Sequence, residues 1–338
     1  MPIIAVMKYI FASIAVFLCC VLTAGEVSAT PPKIVPLGSV GNEINFSVLP
    51  NQPMFSADVD FFLGQQRRRR VGGGGRVWAN VYYGDTTLKP KEGGRIDPRF
   101  YGLQVGFDLG RSHGVFSTFF LNVNQSRVKF GEDFGGGSSK IDNILLGYGR
   151  FIHFSMSHFV FAGSIGYDRY EVSRLNTGKG DGLQMNFFGE FGLNLTLGQW
   201  AIKPFYALQY DFLYHGRIGS SSDSLHSDWN GHGLQQLMGL RLNWRPMPIL
   251  KLQSRSVWVH EFLDNPPPFY RARFSSVYGI STPAIMFHRG NTGRDWAWLG
   301  IGARLEPVFR IYLFLDYDVL INERHVTHVG SLGLCLGW

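Results

Sequence analysis

The residue types best suited to chemistry crowd into one short stretch, HSDWNGHG at 226–233, which holds His226, Ser227, Asp228 and His232. A serine, a histidine base and an orienting aspartate are the parts of a nucleophilic hydrolase, but they work only when held within hydrogen-bond reach of one another. Gly231 and Gly233 loosen this polar stretch, so it reads as a solvated loop. His226 and His232 stand six apart with no further ligand beside them, which is weak spacing for a metal site. His260 and Glu261 are adjacent in VWVHEF. Neighbours on a strand point to opposite faces, so at least one of them faces inward, where a structural hydrogen bond or ion pair is expected rather than acid–base work. The glycine clusters at 72–75 and 135–137 lack the Lys-Ser/Thr ending of a phosphate loop. Catalytic residues, cofactors and metals are therefore all expected to be none.

The elements that would position any site are set by composition and by the two ends. Only 17% of the 338 residues are charged while 42 are glycine, and the charged share is below the roughly 25% of soluble domains. The net charge of +7 comes without a nucleic-acid-binding signature, and four of the positive charges are the run Arg67–Arg70. Residues 1–29 read as a signal peptide: Lys8, an apolar run from Tyr9 to Leu22, and a small-residue cleavage site at Val27-Ser28-Ala29. Met1 and Met7 are both candidate starts. Cleavage after Ala29 removes Cys19 and Cys20 and leaves Cys335 as an unpaired, poorly reactive thiol. No later stretch reaches the eighteen or more apolar residues of a transmembrane helix. Residues 30–75 show no sustained period and are expected to be a linker or a plug segment.

From Arg76 onward, alternation dominates. In GLQVGFDLG, Leu103, Val105, Phe107 and Leu109 oppose Gln104, Gly106 and Asp108. In LQMNFFGEFGLNLTL, Leu183, Met185, Phe187, Phe191, Leu193, Leu195 and Leu197 oppose Gln184, Asn186, Glu190, Asn194 and Thr196. WAIKPFYALQYDFLY and RIYLFLDYDVL repeat the pattern, with Lys203, Gln209, Asp211, Arg310, Asp316 and Asp318 on their polar faces. Strands of about 10 to 15 residues exceed the soluble mode of five or six and suit tilted membrane strands with apolar residues outward. In hydrocarbon every backbone group needs a partner, so such a sheet must close on itself. Short connections at 110, 198, 245 and 306 alternate with long ones at 85–99, 130–139, 215–232 and 264–294. Short turns belong to the periplasmic side and long loops outside. The predicted fold is all-β: a transmembrane antiparallel β-barrel of about 12 strands over 76–338, with 264–294 as one large outer loop.

Several segments, in order, resemble the autotransporter translocator β-barrel of bacterial outer membranes: VWANVYYG, YGLQVGFDLG, NVNQSRVKF, GSIGYDRYEVSR, WAIKPFYALQYDF, VWVHEF and GRDWAWLGIGARL. The resemblance covers about Trp78 to Trp338. It implies a location in the bacterial outer membrane, with outer-membrane lipids, the β-barrel assembly machinery and periplasmic chaperones as partners, and a porin-like architecture in a monomer. The ending HVGSLGLCLGW resembles the family's assembly signal, with Leu332, Leu334 and Leu336 at every second position before the terminal Trp338. Members of that family carry a long passenger ahead of the barrel; about 46 residues separate the expected cleavage site from the barrel here, so no sizeable passenger is expected.

The expected role is a membrane-embedded scaffold or narrow pore displaying surface loops, with an adhesin acting through long loops, or a hydrolase using the 215–232 loop, as alternatives. Residues expected to project into the lumen are Glu190, Lys203, Asp211, Arg241, Lys251, Arg255, Arg304, Arg310 and Asp316. In the family, the segment before the first strand runs through the lumen; here Arg67–Arg70 would pair with Glu190, Asp211 and Asp316.

Overall fold

The computed structural model describes the chain from Gly75 to Gly337, apart from 89–95, 112–114, 131–137, 155, 174–176, 217, 220–223, 227–228, 263–269, 273–284, 288–293, 309 and 324. The expected signal peptide, the segment 30–74 with Arg67–Arg70, and Trp338 therefore lie outside the described residues.

Twelve long strands follow one another: β1 (Gly75–Leu88), β2 (Ile96–Arg111), β3 (Val115–Phe130), β4 (Ser138–His153), β5 (Ser157–Ser173), β6 (Thr177–Leu193), β7 (Trp200–His215), β8 (Trp229–Met247), β9 (Leu250–Glu261), β10 (Asp295–Val308), β11 (Ile311–Ile321) and β12 (His325–Gly337). Each pairs antiparallel with the next. A short piece, Leu195–Leu197, prolongs the β6 edge against β7. The last strand returns to the first, in register from Arg76↔Gly337 to Leu88↔His325, so the sheet is a closed 12-stranded antiparallel barrel. Tyr270–Ala272 and Ile285–Phe287 pair with each other in a small hairpin outside the barrel sheet, within the expected large loop.

Burial follows the alternation. On β4 the even positions Ile144, Leu146 and Tyr148 are exposed while Asn143, Leu145 and Gly147 between them are buried. Outward residues are apolar along the middle of the strands because lipid must meet them there. The tight connections 154–156, 198–199, 248–249 and 309–310 share one end of the barrel with the start of β1 and the end of β12; the longer connections 89–95, 131–137, 216–228 and 262–294 share the other. Strands run further than the sequence suggests: β1 continues to Leu88 and β2 starts at Ile96, because the polar ends of these strands still find ladder partners above the apolar band.

The glycine content has a packing cause. Inward aromatic rings fill the space above glycines of the neighbouring strand, and a Cβ on Gly84 would come within 1.9 Å of the Phe100 ring. Gly147 sits beneath Phe120 in the same way. The interior also holds apolar clusters, one of them formed by Phe205, Ala207, Leu237, Val257, Val259, Trp296, Trp298 and Leu320. Cys335 is buried beside Trp78, Phe120, Leu145 and Tyr312.

Candidate functional site

The inner wall is the candidate site, since alternation delivers most of the large polar side chains of the strand centres to it. One group centres on Glu190 of β6. Arg241 of β8 donates to both its carboxylate oxygens at 2.6 Å, and His158 Nε2 of β5 lies 2.9 Å from Oε1. The Arg241 guanidinium also rests 3.8 Å from the Phe205 ring centroid. All three polar residues are almost wholly buried, where an unpaired charge would be costly and a bidentate charge-assisted pair is most favourable.

A second group spans β9 to β11. Arg255 Nε is 2.7 Å from Asp318 Oδ1, and its Nη2 reaches Asp316 at 3.3 Å. Arg304 of β10 donates to Asp316 at 2.8 Å, Gln253 donates to it at 2.9 Å, and Trp298 Nε1 donates to Asp318 at 2.8 Å. The other arc is built mostly of neutral amides. Tyr82 donates to Asn122 at 2.9 Å, Asn124 to Asn143 at 3.0 Å, and Asn143 Nδ2 to Asp168 and Gln184 at 2.5 and 3.2 Å. Trp78 donates to Asp108 at 3.1 Å, with Arg76 3.5 Å away. Each of these bonds joins neighbouring or next-but-one strands, so the networks run along the wall.

Of the residues expected in the lumen, Glu190, Lys203, Arg241, Arg255, Arg304 and Asp316 are buried in the inner wall. Asp211 and Lys251 are half-buried on its inward register. Arg310 is a correction: it is exposed in the turn between β10 and β11 with φ of 71°. Strand β10 runs on to Val308, past the expected turn at Glu306-Pro307, and the positive-φ turn residue is outside the alternation. The carboxylates expected to receive Arg67–Arg70 also need revision, because Glu190 and Asp316 already hold barrel arginines. Asp211 takes a neutral donor, Gln209 Nε2, at 2.8 Å.

Leu332, Leu334 and Leu336 are exposed on the outer face of β12, while Cys335 points inward between them. The hydrolase-like stretch is not gathered into a site by the described residues. His226 ends a short strand, Ser224–His226, and Ser227 and Asp228 lie outside the described residues. His232 faces outward with Nδ1 2.7 Å from the Tyr210 hydroxyl. His260 also faces outward, 2.9 Å from Asp295, while Glu261 accepts from the Leu234 backbone N–H at 2.8 Å. Among the described residues no group of three or more His, Cys, Asp or Glu is placed to hold a metal ion.

Sequence reading sets Asp108 and Gln104 on a polar face without a partner, and does not single out His158, Asp168 or the asparagines of β1, β3 and β4. Alternation does place them inward, yet it carries no register, so nothing in the sequence marks which of them meet.

A family model described as the autotransporter beta-domain matches residues 77–318, nearly the whole barrel. The chain belongs to the autotransporter β-domain family. Its place is the bacterial outer membrane. Among solved structures, this β-domain resembles the translocator domain of autotransporter NalP from Neisseria meningitidis, with TM-score 0.66 and 16% identity over 86% of this chain and 96% of that one. It also resembles the β-domain of the Bordetella autotransporter BrkA, at TM-score 0.59 and 16% identity over 78% and 99%. The transport unit of AIDA-I from Escherichia coli superposes with TM-score 0.62 and 12% identity over 80% and 92%. At these identities the likeness is one of fold. No curated protein matches the chain in sequence.

Proposed function

We propose that this β-domain acts as a membrane-embedded scaffold and narrow pore that displays its long connections at the cell surface, and that it is not an enzyme. The observation that carries this reading is the inner wall itself. Its large polar side chains bond one another along the wall, as Glu190 does with Arg241 and His158, and so form a lining rather than a reactive centre. Twelve strands enclose a narrow lumen, and the segment 30–75 ahead of the barrel serves as its plug. The revised partners for Arg67–Arg70 are Asp168 and Asp211, whose carboxylates take amide donors. Deleting residues 55–75 while keeping the signal peptide is expected to raise single-channel conductance in planar bilayers. Unchanged conductance in a folded deletion variant would rule the plug out.

Assembly supports the same reading. We infer that Leu332, Leu334, Leu336 and Trp338 form the signal that periplasmic chaperones and the barrel assembly machinery read. The three leucines line one outward face of the closing strand. Trp338→Ser is expected to leave unassembled protein in the periplasm; normal yields of heat-modifiable barrel would contradict this role.

A further inference from the structure

On the outside of the barrel, three rows of side chains cross β2, β3 and β4 in direct register. Nearest mid-membrane are Leu103, Val123 and Ile144, all exposed and apolar. Towards the long-connection end come Tyr101, Gln125 and Asp142, which are hydrogen-bonded in sequence: Tyr101 donates to Gln125, and Gln125 to Asp142. Beyond them stand Arg99, Arg127 and Lys140, paired Arg99↔Arg127 and Arg127↔Lys140. The change from apolar to polar to cationic across these rows marks the upper boundary of the membrane.

Like charges directly opposite each other on paired strands destabilise a sheet, and here three cations stand side by side. Their carboxylate neighbours sit at the margins. Asp85 lies 3.5 Å from Arg99, whose side chain is 66% exposed. Asp142 lies 2.7 Å from Lys140 in the row beneath, and Glu171, opposite Lys140 in register, lies 3.7 Å from Lys179. Among the described residues, Arg127 donates to the neutral Gln125 at 2.9 Å and shares Asp142 electrostatically with Lys140. The outward positions of β8, β9 and β12 at the same end carry His232, His260 and His328 instead.

We propose that Arg99, Arg127 and Lys140 form a docking strip for the phosphorylated headgroup of a glycolipid in the outer leaflet. At strand spacing, the three cations span roughly 10 Å, a width that suits a phosphate with its sugar ring. Phosphate oxygens accept from the guanidinium and ammonium groups, and the sugar hydroxyls donate to Asp85, Asp142 and the amide of Gln125. Two carboxylates, Asp85 and Asp142, face three cations; the anion supplies the remaining counter-charge, and β1–β4 become the face to which this lipid adheres.

The test uses the full chain folded into phosphatidylcholine vesicles with graded fractions of bisphosphorylated lipid A, read as the midpoint of heat-induced unfolding. The midpoint is expected to rise with lipid A and to rise less at high salt. Apparent lipid A affinity should fall about fivefold for each cation replaced across Arg99→Gln, Arg127→Gln and Lys140→Gln. The triple variant in phosphatidylcholine alone should unfold no earlier than the parent, since like-charge repulsion has been relieved. Arg150→Gln, at the tight-turn end, should retain the full response. An undiminished lipid A response in the triple variant would overturn the proposal. So would an equal response to dephosphorylated lipid A, which would mean an acyl-chain effect, or to inorganic phosphate, which would mean a free-anion site.

Discussion

On β1–β5 the buried inward row is mostly amides, Asn80, Gln104, Asn122, Asn124 and Asn143, beside the charged Arg76, Asp108 and Asp168, whereas on β6–β11 it carries Glu190, Lys203, Arg241, Arg255, Arg304, Asp316 and Asp318 among its amides. Both arcs hide strongly polar groups in one closed sheet. An amide is donor and acceptor at once and carries no charge, so it can be linked strand to strand and lose one partner at modest cost. A buried charge has no such latitude, because its partner must be present and correctly aimed. The charged arc accordingly holds the multidentate contacts: Arg241 grips both oxygens of Glu190 at 2.6 Å, whereas Asn124 gives Asn143 a single bond at 3.0 Å.

The comparison is sharpest where one partner can be removed. Glu190→Gln leaves the Arg241 guanidinium buried without its carboxylate and is expected to cost about 3–5 kcal/mol, read in a urea unfolding titration in lipid vesicles. The double change Glu190→Leu with Arg241→Met should recover most of that loss, since neither charge remains. If the double variant were as damaged as the single, the burial of a lone charge would not be what makes this arc sensitive. In the amide arc, Asn124→Ala removes one donor to Asn143 and is expected to cost about 1 kcal/mol in the same titration. A loss as large as that of Glu190→Gln would erase the distinction between the arcs.

Much of this arrangement is legible in the amino-acid sequence. Strict alternation in stretches such as GLQVGFDLG separates lipid-facing Leu103 and Val105 from inward Gln104, because a strand's period is two and hydrocarbon tolerates few polar neighbours. Alternation fails where the chain leaves the strand. Counting back along RIYLFLDYDVL from Asp316 sets Arg310 inward, yet a residue with φ of 71° is not part of the ladder. Pair identity was also hidden. Glu190 and Arg241 are 51 positions apart and meet only because β6 and β8 flank β7 at a particular stagger, and that stagger depends on barrel closure. The cation row Arg99–Arg127–Lys140 was invisible for the same reason: each cation is unremarkable on its own strand until register sets them side by side.

The claim that the inner wall is a charge-balanced lining of a narrow pore is tested most directly by the reversal potential of single channels of the full chain under a tenfold KCl gradient. Cations and carboxylates interleave on the wall, as Arg255 and Arg304 do with Asp316 and Asp318, so the expected reversal potential is close to zero. A value near the Nernst limit for either potassium or chloride would contradict it.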